Sequence, residues 1–128
     1  MRLGYVILYV PDVAAALAFY EAAFGLQRRF LHESGTYGEM ETGGTALAFA
    51  AEELVRGNGV AFRPTRPGEP PAAAEVGLVT ADVAGGFARA VAAGASACQA
   101  PGEKPWGQTV AYVRDLNGFL VEICSPLR

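Results

Sequence analysis

Tyr5-Val6-Ile7-Leu8-Tyr9-Val10-Pro11-Asp12-Val13-Ala14 has a counterpart seventy residues later in Glu75-Val76-Gly77-Leu78-Val79-Thr80-Ala81-Asp82-Val83-Ala84. In the first copy a β-branched and aromatic run of strand length ends at Pro11, which has no N–H to give a ladder. Asp12 then stands as an N-cap before Val13, Leu17, Phe19, Tyr20 and Phe24, and Gly25 is placed to stop the helix. Sliding Tyr5 onto Glu75 also brings Leu8 onto Leu78, Ala18 onto Ala88 and Ala22-Ala23 onto Ala92-Ala93. Strand, capping Asp and helix recur together, which makes this an internal repeat rather than a chance match.

Outward from the first copy lie three shorter strand-like runs, Arg28 to Glu33, Thr36 to Glu41 and Thr45 to Ala50, broken at Ser34-Gly35 and Gly43-Gly44. The second copy closes with a turn at Asp115-Leu116-Asn117-Gly118 and a strand from Phe119 to Cys124, and Gly44 before Thr45 matches Gly118 before Phe119. The predicted fold is α+β, with tandem βαβββ modules forming curled mixed sheets. The chain reads as one domain, 1–128, with a first module over 1–50, a linker over 51–73 and a second module over 74–128. Pro64, Pro67, Pro70 and Pro71 forbid regular structure over much of the linker. A connection this long suits a wrapping segment, a dimer arm or a pocket cover.

Composition sets the outer bounds. The 128 residues are 52% hydrophobic and 18% charged, enough to bury a core without disulfides or a structural metal. A net charge of -3 with scattered Lys and Arg offers no basic face, which excludes nucleic acid and anionic membrane as partners. No apolar run approaches the roughly 20 residues that span a bilayer, and no basic-then-apolar signal opens the chain, so a cytoplasmic location is expected. Cys98 and Cys124 form no CxxC and read as small buried hydrophobes. The single His32 has no motif around it and reads as a surface or satisfied residue, and Glu39 and Glu41 share a face expected to be solvated.

Three motifs, in order, are the Val-x-Asp-Val start leading to Phe19-Tyr20 and Phe24-Gly25, the Arg114-Asp115-x-Asn117-Gly118 turn, and the closing strand with Glu122. Together they resemble the glyoxalase/bleomycin resistance protein/dioxygenase (vicinal oxygen chelate) superfamily over nearly the whole chain. In metal-dependent members, the resemblance implies, each half gives one ligand near the start of its first strand and one from the middle of its last. The equivalent residues here are Tyr5, Ala48, Glu75 and Glu122. Ala48 has no donor atom, and a neutral phenol is a poor ligand for most divalent ions. No cofactor is therefore expected; a weakly held divalent metal would rest on Glu75 and Glu122 alone.

The remaining candidates are polar or aromatic. Glu122 is the candidate general base or hydrogen-bond acceptor, with Glu75 close by to raise its pKa, or else an inherited residue satisfied by Tyr5 or water. Tyr5, Tyr37, Phe49 and Tyr112 fall on predicted strands and are candidates to line a ligand cavity, as are Gln108 and Arg114. Trp106, in Pro105-Trp106-Gly107-Gln108, sits in a loop where a flat ring is well placed to stack on a planar ligand. The preferred function is a metal-independent binder of a drug-like or aromatic metabolite, of the bleomycin-resistance type, acting by sequestration as a homodimer and conferring antibiotic resistance. The competing class is an enzyme: a divalent-metal glyoxalase- or dioxygenase-like lyase, isomerase or oxygenase using Glu75 and Glu122, or a cofactor-free one using Glu122. A third reading is an interaction scaffold working through the linker.

Overall fold

The computed structural model describes residues 1–127. They form two compact units, Met1–Pro64 and the residues from Thr65 on, whose division falls inside the expected linker. The first unit runs β1 (Tyr5–Val10), α1 (Val13–Phe24), β2 (Gln27–Leu31), β3 (Tyr37–Glu41), β4 (Ala46–Ala51) and α2 (Glu52–Gly57). The second runs β5 (Glu75–Val79), α3 (Val83–Ala92), β6 (Ser96–Glu103), β7 (Thr109–Arg114) and β8 (Leu120–Cys124). Each holds a four-stranded sheet, in the orders β1-β4-β3-β2 and β5-β8-β7-β6, so the two βαβββ modules share one topology. Each sheet is mixed, with β1 parallel to β4 and β5 parallel to β8, and the other neighbours antiparallel.

The helices begin where the capping aspartates require. The Asp12 side chain accepts from the Ala15 N–H at 3.0 Å, and Asp82 accepts from Gly85 N–H at 2.9 Å. Gly25 ends α1 in the left-handed region at φ 68°. α1 packs on one face of its sheet through Val13, Leu17 and Tyr20, all fully buried. That approach needs a glycine at 38, because a Cβ there would lie 2.6 Å from Leu17 Cδ1.

The linker differs from expectation at its start. Residues 52–57 form α2, ahead of the first proline, with Glu52 and Glu53 in its first turn and Arg56 in its last, signs that suit the helix dipole. Val55 anchors it by burial. No helix among the described residues is long and apolar enough to cross a membrane.

Candidate functional site

Strand periodicity sends alternate residues to opposite faces, so each sheet has a face under its helix and a face turned away from it. In the first module Phe49 lies under α1, its ring 4.9 Å from that of Tyr20 and fully buried. Phe49, grouped with the pocket aromatics on sequence, is thus a core residue. The opposite face carries Ala46, Ala48 and Ala50 down the centre, beside Tyr37 and Glu39 from β3.

Glu39, paired with Ala48, is only 6% exposed, which corrects the solvated reading from sequence. Its oxygens accept from the Tyr37 hydroxyl at 2.7 Å and from Arg29 Nη1 at 3.1 Å. Arg29 also grips Glu41 through Nε at 2.7 Å and Nη2 at 2.9 Å. It reaches this face because the β2 ladder skips a residue between Arg28 and Phe30, a bulge that re-aims the extra side chain. Arg29 holds the Glu41 carboxyl below the usual range, and partial burial and then the bond to Glu39 push the Tyr37 phenol up. Tyr5 is 56% exposed and adds a smaller push to the raised Tyr37 phenol.

In the second module the same pairing sets Glu122 of β8 against Tyr112 of β7 and Gly77 of β5. The Tyr112 hydroxyl donates to Glu122 Oε1 at 2.9 Å, and that bond leads the effects that push the phenol up to about 12. Glu122 is therefore satisfied by Tyr112, a partner the sequence reading had not named. The hairpin turn fixes the register that joins them, since it pairs Arg114 with Leu120 and hence Tyr112 with Glu122. Partial withdrawal from water and then Glu122 raise the pKa of the Glu75 carboxyl, although the residue as a whole is exposed. Burial, then a bond to Glu122, keeps the Cys124 thiol protonated above its usual range.

A bulge recurs in β6 between Ala97 and Gln99, so Cys98 holds the place that Arg29 holds in the first module. Cys98 is exposed, not buried as expected. It lines a hollow of about 260 Å³ with Glu75, Gln99, Tyr112 and Leu120. No described side chain forms a salt bridge with Glu75 or Glu122.

The other expected ligand residues are dispersed. Trp106, 63% exposed, donates from Nε1 to Gln108 Oε1 at 2.8 Å, and Gln108 in turn donates to the Ser125 carbonyl at 2.8 Å. These two belong to a second hollow of about 220 Å³ with Glu103, Gly107, Pro126 and Leu127, which shares no residue with the first. Arg114 is committed to backbone: it donates to the carbonyls of Gly118, Pro67 and Arg66 at 3.0, 3.0 and 3.1 Å. The sequence had offered it as a ligand contact on strand alternation alone. Exposed His32 bonds Ser34 within its turn, Nδ1 to Oγ at 2.7 Å. Among the described residues no three His, Cys, Asp or Glu side chains gather as metal ligands do.

A profile of the Glyoxalase/Bleomycin resistance protein/Dioxygenase superfamily matches residues 2–123. The structure resembles a glyoxalase-related enzyme from Fulvimarina pelagi, with TM-score 0.82, 24% identity, and coverage of 98% of this chain and 88% of that one. It also resembles TioX from Micromonospora sp. ML1, with TM-score 0.74, 24% identity and 98% coverage of both. A glyoxalase/bleomycin resistance protein/dioxygenase family enzyme from Burkholderia phytofirmans PsJN gives TM-score 0.78, 22% identity and 98% coverage of both. No protein with a curated description matches the chain.

Proposed function

Because the chain belongs to the glyoxalase/bleomycin resistance protein/dioxygenase superfamily, a group whose fold hosts both binders and enzymes, we propose that it is a metal-independent small-molecule binding protein of the bleomycin-resistance type. It acts by sequestration, as a homodimer, on a drug-like or aromatic metabolite that brings its own positive charge or strong hydrogen-bond donor. One observation carries this reading. Arg29 supplies the cation for Glu39 and Glu41 in the first module, whereas the matching bulge position in the second is Cys98, and among the described residues Glu75 and Glu122 have no salt-bridge partner. Glu75 lines the hollow and feels the charge of Glu122, and two neighbouring carboxylates repel each other and favour a cation beside them.

Size supports a partial fit. Small-molecule sites usually run to roughly 300–1,000 Å³, so a hollow of about 260 Å³ receives one end of such a ligand. Trp106, with its ring orientation fixed by Gln108, gives a second contact area to the same module. A divalent metal fits the donor set poorly: Glu75 and Glu122 are two carboxylates, and one oxygen of Glu122 already accepts from Tyr112. Two protein ligands leave most of a transition-metal shell to water.

Titration calorimetry with a planar aromatic amidine, before and after chelator treatment, tests the proposal. Stoichiometric binding that survives the chelator and yields no product supports it. Metal near one equivalent per chain, lost together with turnover on dicarbonyl or catechol substrates in Glu122→Gln, replaces it with the metalloenzyme reading. Turnover that survives the chelator but not Glu122→Gln replaces it with a cofactor-free enzyme in which Glu122 is the base.

A further inference from the structure

The chain between the two modules is held at two points, and each hold belongs to a different module. On the first side, Phe62 packs edge-on against Tyr9 of β1, ring centroids 5.1 Å apart, and the Arg56 guanidinium of α2 lies 4.9 Å from its ring centre. On the second side, Arg114 of β7 bonds the carbonyls of Arg66 and Pro67 while its Nε bonds Gly118. The hold is close: a Cβ on Gly118 would lie 2.7 Å from the Arg66 carbonyl carbon and oxygen, and its φ of 96° also favours glycine. Beyond Pro67 the segment turns back through the Glu69 N–H to Arg66 carbonyl bond and enters β5 at Glu75, within the same unit.

Three residues are left between the holds, Arg63, Pro64 and Thr65, and the boundary between the compact units falls inside them. We infer that Arg63-Pro64-Thr65 is the hinge between the modules, with Phe62 and the Arg114 clamp as the fixed ends that make a long connector act as a short one. Arg114 is then a positioning residue for the hinge and not a ligand contact. Pro64, with φ locked near -65°, stiffens the middle of the hinge. Motion of one module against the other is confined to a few backbone torsions, as in other hinges between rigid bodies.

The test is to place one spin label in each module, at Ala14→Cys on α1 and Ala84→Cys on α3, both exposed, with exposed Cys98 replaced by Ser and Cys124 buried. Labelled chain is diluted into unlabelled protein so that only intrachain distances are read. Pro64→Gly should widen the distance distribution about twofold while leaving far-ultraviolet circular dichroism unchanged, because it removes the one fixed φ in a three-residue tether. Pro70→Gly, beyond the clamp, should leave the width as it was. In Arg114→Ala the clamp is gone, and Pro70→Gly should then widen the distribution as well. The inference is overturned if Pro64→Gly changes nothing, or if Pro70→Gly matches it with Arg114 intact. Hydrogen exchange at 65–72 gives an independent reading: it should accelerate in Arg114→Ala, and unchanged protection there counts against the clamp even where the labels are silent.

Discussion

Glu39 and Glu122 show how far a side chain's neighbours outweigh its type. Both sit on the face away from the helix and both accept from a tyrosine, at 2.7 and 2.9 Å, yet among the described residues only Glu39 has an arginine bonded to it. Sequence showed that Ala48 and Glu122 are equivalent, because the repeat aligns them. It did not show Arg29, since a bulge breaks the alternation from which facing residues are read. The raised pKa of Glu75 makes a testable difference. Its carboxyl must ionise to attract a cation, so affinity for an aromatic amidine, which stays protonated across this range, should climb as pH rises through and above the ordinary value of 4.5. Calorimetry between pH 4.5 and 7 should show that climb, and Glu75→Gln should flatten it. An equal slope in the variant assigns the dependence to another group. Trp106→Ala should weaken a planar ligand by roughly 1–3 kcal/mol, the range of an aromatic hot spot. The single tryptophan also reports the event by fluorescence, and an affinity unchanged in Trp106→Ala restricts its role to shaping the β6–β7 turn.

The elements were legible wherever local chemistry and burial agreed. Asp12 and Asp82 cap their helices, and β1 has the expected bounds of Tyr5 and Val10. α2 was missed because prolines later in the connector dominated the reading of a segment whose first six residues contain none. Phe49 was misplaced for a related reason: β4 is buried along its whole length, so hydrophobicity does not distinguish its two faces. The β7–β8 turn is the element most dependent on one residue. Asp115, 3% exposed, accepts at 2.9 Å from the Asn117 and Phe119 N–H groups and so fixes the register that brings Tyr112 to Glu122. Asp115→Ala should cost about 1–3 kcal/mol, the range for stripping partners from buried backbone donors. Urea denaturation should also show Asp115→Asn falling between it and the parent, because an amide oxygen still accepts.

Across the whole molecule, each sheet ends on edge strands, β1 and β2 in one and β5 and β6 in the other. Tyr5, Val6 and Ile7 of β1 are 56%, 41% and 42% exposed, and Val79 of β5 is 64% exposed. Unpaired apolar edges are covered in stable proteins, and a second copy is the economical cover. Sedimentation at ~10 μM, well above the dissociation constant of an ordinary interface, should find a dimer, and a monomer alone at that concentration sinks the proposal. The repeat made the architecture readable at this scale, because two copies of a pattern constrain topology more than either alone. The paired bulges at Arg29 and Cys98 carry a further consequence, for the gains and losses of single codons over descent. Each bulge residue stands outside the pairing, so its loss would leave Arg28 and Phe30 on Met40 and Glu39, or Ala97 and Gln99 on Val113 and Tyr112, with their faces unchanged. Substitution and loss at these two sites are both compatible with the sheet, and the exchange of a guanidinium for a thiol between the modules illustrates the first. Related chains should therefore vary at each bulge both in what stands there and in whether anything does, while the flanking pairs keep their register.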